Sequence, residues 1–291
     1  MQREALFNIG TCSWTYDSWV GLIYSEKKKE NYLGEYSKYY STVEIDQWFW
    51  SLFPNNKVKL PNSKVVADYA KSVPGNFKFS IKVPNSVTLT HYYSRAKNSP
   101  LKKNPYFLST EIFSEFLERL SPMQNNLGPL IFQFEYLNKK KMPSQQLFME
   151  KITDFLNACP KDYSYAIEVR NPNFLNKDYF EFLSTHGLHH VFLQGYYMPS
   201  IFEIYNKYKF FLNYLVVIRL HGPNRKGIEK ETSNKWNEIV SPKDDELTGV
   251  SQMVLELNRR DIAVYVNINN HYEGSAPKTI EKVLANLEIK T

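Results

Sequence analysis

The feature that most constrains this chain is an alternation repeated eight times: a short β-branched or aromatic run, then a stretch of helical or loop character. The strand-like runs are FNIGT (7–11), TVEID (42–46), FKFSIKV (77–83), LIFQF (130–134), YAIEVR (165–170), HVFLQ (190–194), LVVIRLH (215–221) and IAVYVNI (262–268). Helical patterns lie between most of them, at 109–120, 143–158, 177–187 and 244–260. Ser109 and Ser144 suit N-caps and Gly187 suits a helix C-terminus. The interval 195–214 reads less cleanly, and SIFEIYNKYKFF within it fits either helix or irregular chain. Eight strands alternating with helices predict an α/β fold, a TIM-like (β/α)8 barrel, with an open doubly wound sheet as the alternative. No internal repeat or linker divides the sequence, so one domain over 1–291 is expected.

Inside those runs, polar residues recur two positions apart near the C-terminal ends. The pairs are Glu44 and Asp46, Ser80 and Lys82, Gln133 and Glu135, Glu168 and Arg170, Arg219 and His221, Asn267 and Asn269. Strand side chains alternate between faces, so members of each pair share one. A parallel barrel has no wet strand face, because helices cover its outside and side chains fill its inside. Val43, Ile45, Ile167, Val169, Ile218 and Leu220 therefore face the helices. Their polar neighbours converge at the C-terminal mouth, where barrel enzymes place their chemistry. A slip of one residue in register would reverse every face.

The quoted strand ends carry a resemblance. GTCSWTYDSW (10–19), VEIDQWFW (43–50), FKFSIKVPNSVTLTH (77–91), IEVRN (167–171), IRLHG (218–222) and NNHYEGSA (269–276) together resemble the YecE-like family, also catalogued as a domain of unknown function. The likeness runs from residue 9 to about residue 280 and implies a TIM-like barrel, but the family has no settled reaction. Cys12 and Ser13 stand where the family usually has Ser and Gly, and Asp46 replaces Asn. Asn171 and Phe174 stand where His and Trp are common, and Gln194 near where many members carry Asp.

The candidate acid/base groups are Glu44, Lys82, Glu168 and His221, with Asp46 as helper, because paired carboxylates in a partly dry cavity can be driven to different protonation states. The same residues also read as a charge-balanced network in which Glu44 and Glu168 neutralise Lys82, Arg170 and Arg219. Arg170 and Arg219 suit bidentate recognition of phosphate or carboxylate, and Gln133, Asn267, Asn269 and Asn270 add neutral hydrogen bonds. Trp14, Tyr16, Trp19 and the Trp48 to Trp50 stretch offer stacking surfaces for a sugar or base, core packing being the commoner fate of such rings. His91, His221, His271, Glu44, Asp46 and Glu168 would be the ligands of a divalent metal, which is allowed but not favoured, since no ligand spacing supports it. The cofactor is therefore unknown.

Composition excludes several classes. With 43% hydrophobic and 15% aromatic residues in 291, the chain is rich enough for a large core, so disorder is not expected. No stretch reaches membrane-spanning length, and Arg3 and Glu4 precede no long apolar run, so neither a membrane partner nor a secretory leader is expected and the location is taken as cytoplasmic. Cys12 and Cys159 are the only cysteines and lack CxxC spacing. No Walker A or GxGxxG motif occurs, and strand seven ends in Arg219 and His221 where a glycosidase would carry a carboxylate. The net charge of +6 is modest, from 36 basic and 30 acidic residues. Its placement is more telling: Lys27 to Lys29, Lys102 and Lys103, Lys139 to Lys141, and Arg225 with Lys226 all fall in βα connections, on the face of the mouth. Two function classes follow. One is an enzyme acting on a phosphorylated or otherwise anionic small molecule, as a hydrolase, lyase or isomerase. The other is a nucleic-acid-binding protein, nuclease-like or not, using the same basic face.

Overall fold

The computed structural model of the protein describes residues 6–93 and 100–288; the ends of the expected 1–291 span, with Arg3 and Glu4, lie outside the described residues. The strands are β1 (Phe7–Thr11), β2 (Thr42–Ile45), β3 (Leu52–Phe53), β4 (Lys57–Val58), β5 (Lys78–Lys82), β6 (Leu127–Gln133), β7 (Tyr165–Glu168), β8 (His189–Gly195), β9 (Leu215–Gly222) and β10 (Ala263–Ile268). Eight of them run parallel in the order β1, β10, β9, β8, β7, β6, β5, β2. A bridge between Cys12 and Glu44 joins the two ends of that order, so the sheet curls into a nearly closed barrel rather than an open doubly wound sheet.

The β1–β2 seam is held by unusual means. A Cβ at Gly10 would sit 1.7 Å from the Thr42 carbonyl oxygen, so only glycine allows the two strands to approach this closely. In place of a regular ladder, the Thr11 amide donates to the Tyr36 hydroxyl at 2.8 Å, and that hydroxyl donates to the Thr42 carbonyl at 3.0 Å. The Ser13 amide then reaches the Glu44 carbonyl at 3.0 Å. Buried backbone groups must find partners, and here a tyrosine supplies them.

Helices α1 (Tyr32–Tyr36), α2 (Ser63–Lys71), α3 (Asn85–Thr88), α4 (Thr110–Leu120), α5 (Gln145–Asn157), α6 (Lys177–Thr185), α7 (Ile201–Tyr208), α8 (Arg225–Thr232), α9 (Asp244–Arg259) and α10 (Ala276–Glu288) follow or interrupt the strands. Ser109 caps α4 through the Ile112 amide, Ser144 caps α5 through that of Leu147, and Gly187 takes a left-handed φ of 65° just past α6. The ambiguous interval resolves into α7 and a short 3-10 turn at Lys209–Phe211. The β3–β4 hairpin was not signalled by alternation, since its strands are two residues long; Asn55 and Asn56, both left-handed, form its turn.

Two apolar systems result. Val43, Ile45, Ile167, Val169, Ile218 and Leu220 belong to the large cluster between sheet and helices. Ile131, Ala166, Val191, Leu215, Val217, Ala263 and Tyr265 form a separate plug inside the barrel. Two residues beyond Ile131, Ala166, Val191, Val217 and Tyr265 stand Gln133, Glu168, Leu193, Arg219 and Asn267, so the period of the strand carries the inner face from an apolar floor to a polar layer.

Candidate functional site

Arg219 occupies the centre of that polar layer. Its side chain is 1% exposed, and the guanidinium spans the barrel. Nε and Nη2 bind the two oxygens of Glu44 at 2.7 and 2.6 Å, while Nη1 pairs with Glu168 and lies 3.3 Å from Gln133 Oε1. Glu168, itself fully buried, receives a second cation: Arg170 Nε at 2.6 Å. Burial opposes the ionisation of Glu168, yet Arg170, Arg219 and Lys82 outweigh it and hold the carboxyl at about 2. The same bargain works in reverse on Arg219, where burial is overcome by Glu168 and Glu44 and the guanidinium is held charged. A buried charge cluster survives only when every member is paired and hydrogen-bonded, and this one is.

Lys82 and Asp46 stand outside that pairing. Lys82 ends β5, is 9% exposed, and makes no ion pair among the described residues; its ammonium rests 4.0 Å from the centre of the Phe49 ring. Burial and then the Arg219 charge push its pKa below the usual lysine value, although Glu44, Glu168 and Asp46 pull the other way. Asp46, just past β2, is shifted upward by burial and by Glu44, with Lys82 and Arg219 opposing. No ion pair is made by Asp46 among the described residues either. Two neighbouring groups are thus moved toward their neutral forms.

His221 lies one turn of the pleat above Arg219 and is held neutral by burial and by the Arg219, Arg170 and Lys82 charges. Its Nε2 is 3.7 Å from Cys12 Sγ and its Nδ1 is 3.4 Å from the Tyr196 hydroxyl. Burial and Glu44 raise the Cys12 pKa, so the contact joins a thiol to a neutral imidazole and is not a thiolate–imidazolium pair. Tyr196 was not signalled by the polar pairs, because Leu193 takes the inner position of β8. It reaches the mouth through local chain geometry: Gly195 adopts φ 136° at a register shift against β9, where any Cβ would meet the Gly222 backbone at 2.5 Å, and Tyr196 follows with a left-handed φ of 56°. Its ring then covers the Arg170 guanidinium at 4.6 Å.

The asparagines divide. Asn267 is fully buried with neither amide atom partnered among the described residues, as is the Ser80 hydroxyl. Asn270 uses its Oδ1 to accept the Ala276 amide at the start of α10 and leaves Nδ2 unpartnered among those residues. Asn269 accepts the His271 amide at 2.9 Å and so shapes the loop.

The expected stacking rings are mostly enclosed. Trp19 is fully buried with its indole N–H on the Trp236 carbonyl, and Trp14 packs edge-on against Tyr69, so neither offers a face to a ligand. Tyr16 is half-buried and donates to the Cys12 carbonyl at 3.3 Å. Trp48 stacks on Tyr69, and Trp50 alone of that set is exposed. The histidines weighed as metal ligands have separate surroundings: His91 meets Thr90, His221 meets Cys12 and Tyr196, and His271 meets Glu229 at 3.1 Å. No group of three side chains placed to hold a metal occurs among the described residues.

Comparison with known proteins places this architecture. Residues 8–291 match the family described as protein of unknown function DUF72. The UPF0759 protein YecE of Escherichia coli strain K12 is 25% identical over 182 residues, which is 62% of this chain and 54% of that protein; the chain thus spans about half the length of the curated relatives it matches. Two solved DUF72 structures share the fold. One, from Enterococcus faecalis V583, has a TM-score of 0.68 at 22% identity over 97% of this chain and 95% of the other. The second, from Thermotoga maritima MSB8, has a TM-score of 0.62 at 20% identity over 99% of this chain and 100% of the other. With its barrel, its motif order and a match spanning nearly its whole length, the chain belongs to the DUF72 family, whose function is unknown.

Proposed function

We propose that the mouth is the active site of an enzyme that moves a proton on a phosphorylated or otherwise anionic small molecule. One observation carries the reading: Lys82 is a buried amine without a carboxylate partner among the described residues, beside a network in which Glu44 and Glu168 are already committed to arginines. A carboxylate held at about 2 is a weak base at neutral pH, so Glu168 serves as a counter-ion that fixes Arg170 and Arg219. Lys82 is the base and Asp46 the acid, since their opposite shifts favour the free amine and the protonated carboxyl. In the step, a substrate C–H bond breaks as an Nζ–H bond forms on Lys82. The electron pair moves onto an adjacent carbonyl oxygen, which takes the Asp46 proton. The substrate carries a hydroxyl on the carbon that lost its hydrogen: that O–H bond breaks, its proton goes to Asp46 and its oxygen becomes the new carbonyl, while the former carbonyl carbon takes the proton back from Lys82, which completes an isomerisation. Arg170 positions the anionic group, because its Nη1 has no acceptor among the described residues and its side chain is 14% exposed. His221 and Asn267 add neutral hydrogen bonds.

Half of the basic-cluster residues are already matched to carboxylates, which weakens the pull on a polyanion. Lys27 and Lys29 lie 2.6 and 3.6 Å from Asp17, Lys28 lies 2.7 Å from Glu26, Lys141 pairs with Glu135, and Arg225 lies 2.7 Å from Glu229. Cations already matched to carboxylates attract a phosphate backbone weakly, whereas Lys102, Lys103, Lys139, Lys140 and Lys226 make no ion pair among the described residues.

The test is proton exchange. A panel of sugar phosphates and keto acids is incubated with the protein in D2O, and deuterium entering carbon positions is followed by NMR. Wild-type protein is expected to label at least one compound and Lys82→Met none, with both folded. Absence of exchange into every compound by the wild type sinks the reading.

A further inference from the structure

From two of the three mouth cations, Lys82 and Arg170, a series of aromatic rings climbs to solvent. Lys82 lies on the Phe49 ring at 4.0 Å; Phe49 meets Trp50 edge-on at 5.2 Å; Trp50 meets Tyr93 edge-on at 6.4 Å. On the other side, Arg170 lies under the Tyr196 ring at 4.6 Å, its charge is felt by the next residue, Tyr197, and Tyr197 meets Tyr136 edge-on at 6.4 Å. The outer members are wet: Trp50 is 63% exposed, Tyr93 69%, Tyr136 51% and Tyr197 60%. All four belong to connections that leave the C-terminal ends of β2, β5, β6 and β8, so they rise on the side of the mouth.

Single exposed rings are ordinary, but two edge-on pairs flanking one mouth make an apolar rim of the kind that marks a contact site. Tyr39, Phe210 and Tyr214 are exposed as well, but they precede β2 and β9 and so lie at the opposite end of the barrel; these four are gathered on the side of the mouth. We infer that the rim is the second half of the substrate site and takes a planar π ring, so that the substrate class is a phosphate monoester carrying a nucleobase or comparable flat ring together with the carbonyl group on which the mouth chemistry acts, a mononucleotide being the simplest binding probe for phosphate and ring. This rests on the proposed mouth site for its anionic half. The phosphate meets Arg170, the reacting carbon lies toward Lys82, and the ring stacks on Trp50 or Tyr197. Stacking accepts any base, because every base presents a π face, so the rim supplies affinity and the polar layer below supplies orientation.

Binding, read independently of turnover, tests it. Adenosine 5′-monophosphate, ribose 5-phosphate and inorganic phosphate are titrated calorimetrically against wild-type protein and against Trp50→Ala and Tyr197→Ala. The wild type is expected to bind adenosine 5′-monophosphate about tenfold more tightly than ribose 5-phosphate, a gap of about 1.4 kcal/mol. At least one rim variant is expected to erase that gap while its affinity for ribose 5-phosphate and its melting temperature stay unchanged. Equal affinity for the two esters in the wild type, no binding of the nucleotide, or a gap that survives both substitutions would each overturn the inference. Inorganic phosphate separates the two halves: phosphate binding lost in Arg170→Met supports the anionic half even when the rim fails, and proton exchange without a rim preference leaves the mouth reading standing while the ring inference falls.

Discussion

Arg219 and Lys82 are two cations in the same barrel mouth, both nearly sealed from water, and their surroundings differ in kind. Arg219 has four hydrogen bonds to three side chains, two of them carboxylic residues, and is held charged. Lys82 has the face of a phenylalanine and is pushed toward neutrality. The comparison teaches that burial alone does not identify a reactive group. A charge whose field is cancelled on every side builds the scaffold, whereas a charge left uncancelled is available for chemistry. If that division is right, substitutions on the two sides should damage different properties.

The largest effect is expected at Arg219. Arg219→Met leaves Glu44 and Glu168 facing each other across a dry interior with a single remaining ion pair, Arg170 to Glu168. Removing one partner of a buried pair costs roughly 3–5 kcal/mol, and here two pairs are lost. A fall in melting temperature of roughly 10 °C or more, or failure to accumulate folded protein, is expected by calorimetry. A stable Arg219→Met protein would break the scaffold half of the comparison.

Glu168 comes next, and pH is the sharper probe. Its carboxyl sits at about 2 in the fold against 4.5 ordinarily. A depressed folded value means that the unfolded chain binds the proton more readily, so the contribution is fully present above about 4.5 and is lost as pH falls through 2. The gap corresponds to on the order of 3 kcal/mol. Urea denaturation from pH 6 to 2 should therefore show a steep acid limb in the wild type and a flatter one in Glu168→Gln, which is also less stable at neutral pH. Equal slopes in the two proteins would mean that the charge is not held by the arginines.

Much of this architecture was legible beforehand, and the reason is periodicity. All eight barrel strands were readable because a barrel strand needs branched residues on its helix side, and the polar i, i+2 pairs stand out against them. Serines at 109 and 144 marked helix starts through local chemistry. What was not legible depends on distance in space. Nothing near Tyr36 in sequence tells that its hydroxyl closes the β1–β2 seam, a contact 25 residues away from Thr11. The Glu44–Arg219 pair spans 175 positions, so the sequence left open whether Glu44 was a base or a counter-ion. Trp19 shows the same limit in reverse: an aromatic in a glycine-led motif looks like a platform until Trp236, far along the chain, is seen to cover it.

The smallest effect on stability is expected at Lys82, and it is the one that separates the two cations most cleanly. Lys82→Met removes a buried charge that has no carboxylate partner among the described residues and replaces it with an unbranched apolar chain that suits the Phe49 surface. The cation–π contact is lost, at about 0.5–1 kcal/mol, while the cost of keeping an ammonium out of water is relieved, so the net change should stay below about 1 kcal/mol in either direction. The sign of the pH dependence is opposite to that of a lysine with a salt-bridge partner. Because the folded pKa lies below 10.5, the unfolded chain binds the proton more readily in the window between the folded value and 10.5. Stability carried by this group therefore rises with pH across that window, and its penalty is fully present below the folded value. Denaturation curves for wild type and Lys82→Met at pH 7 and pH 10 should show the difference between the proteins shifting toward the wild type at the higher pH. A shift in the other direction would mean that Lys82 is a paired cation like Arg219, and the base would have to be sought elsewhere in the mouth.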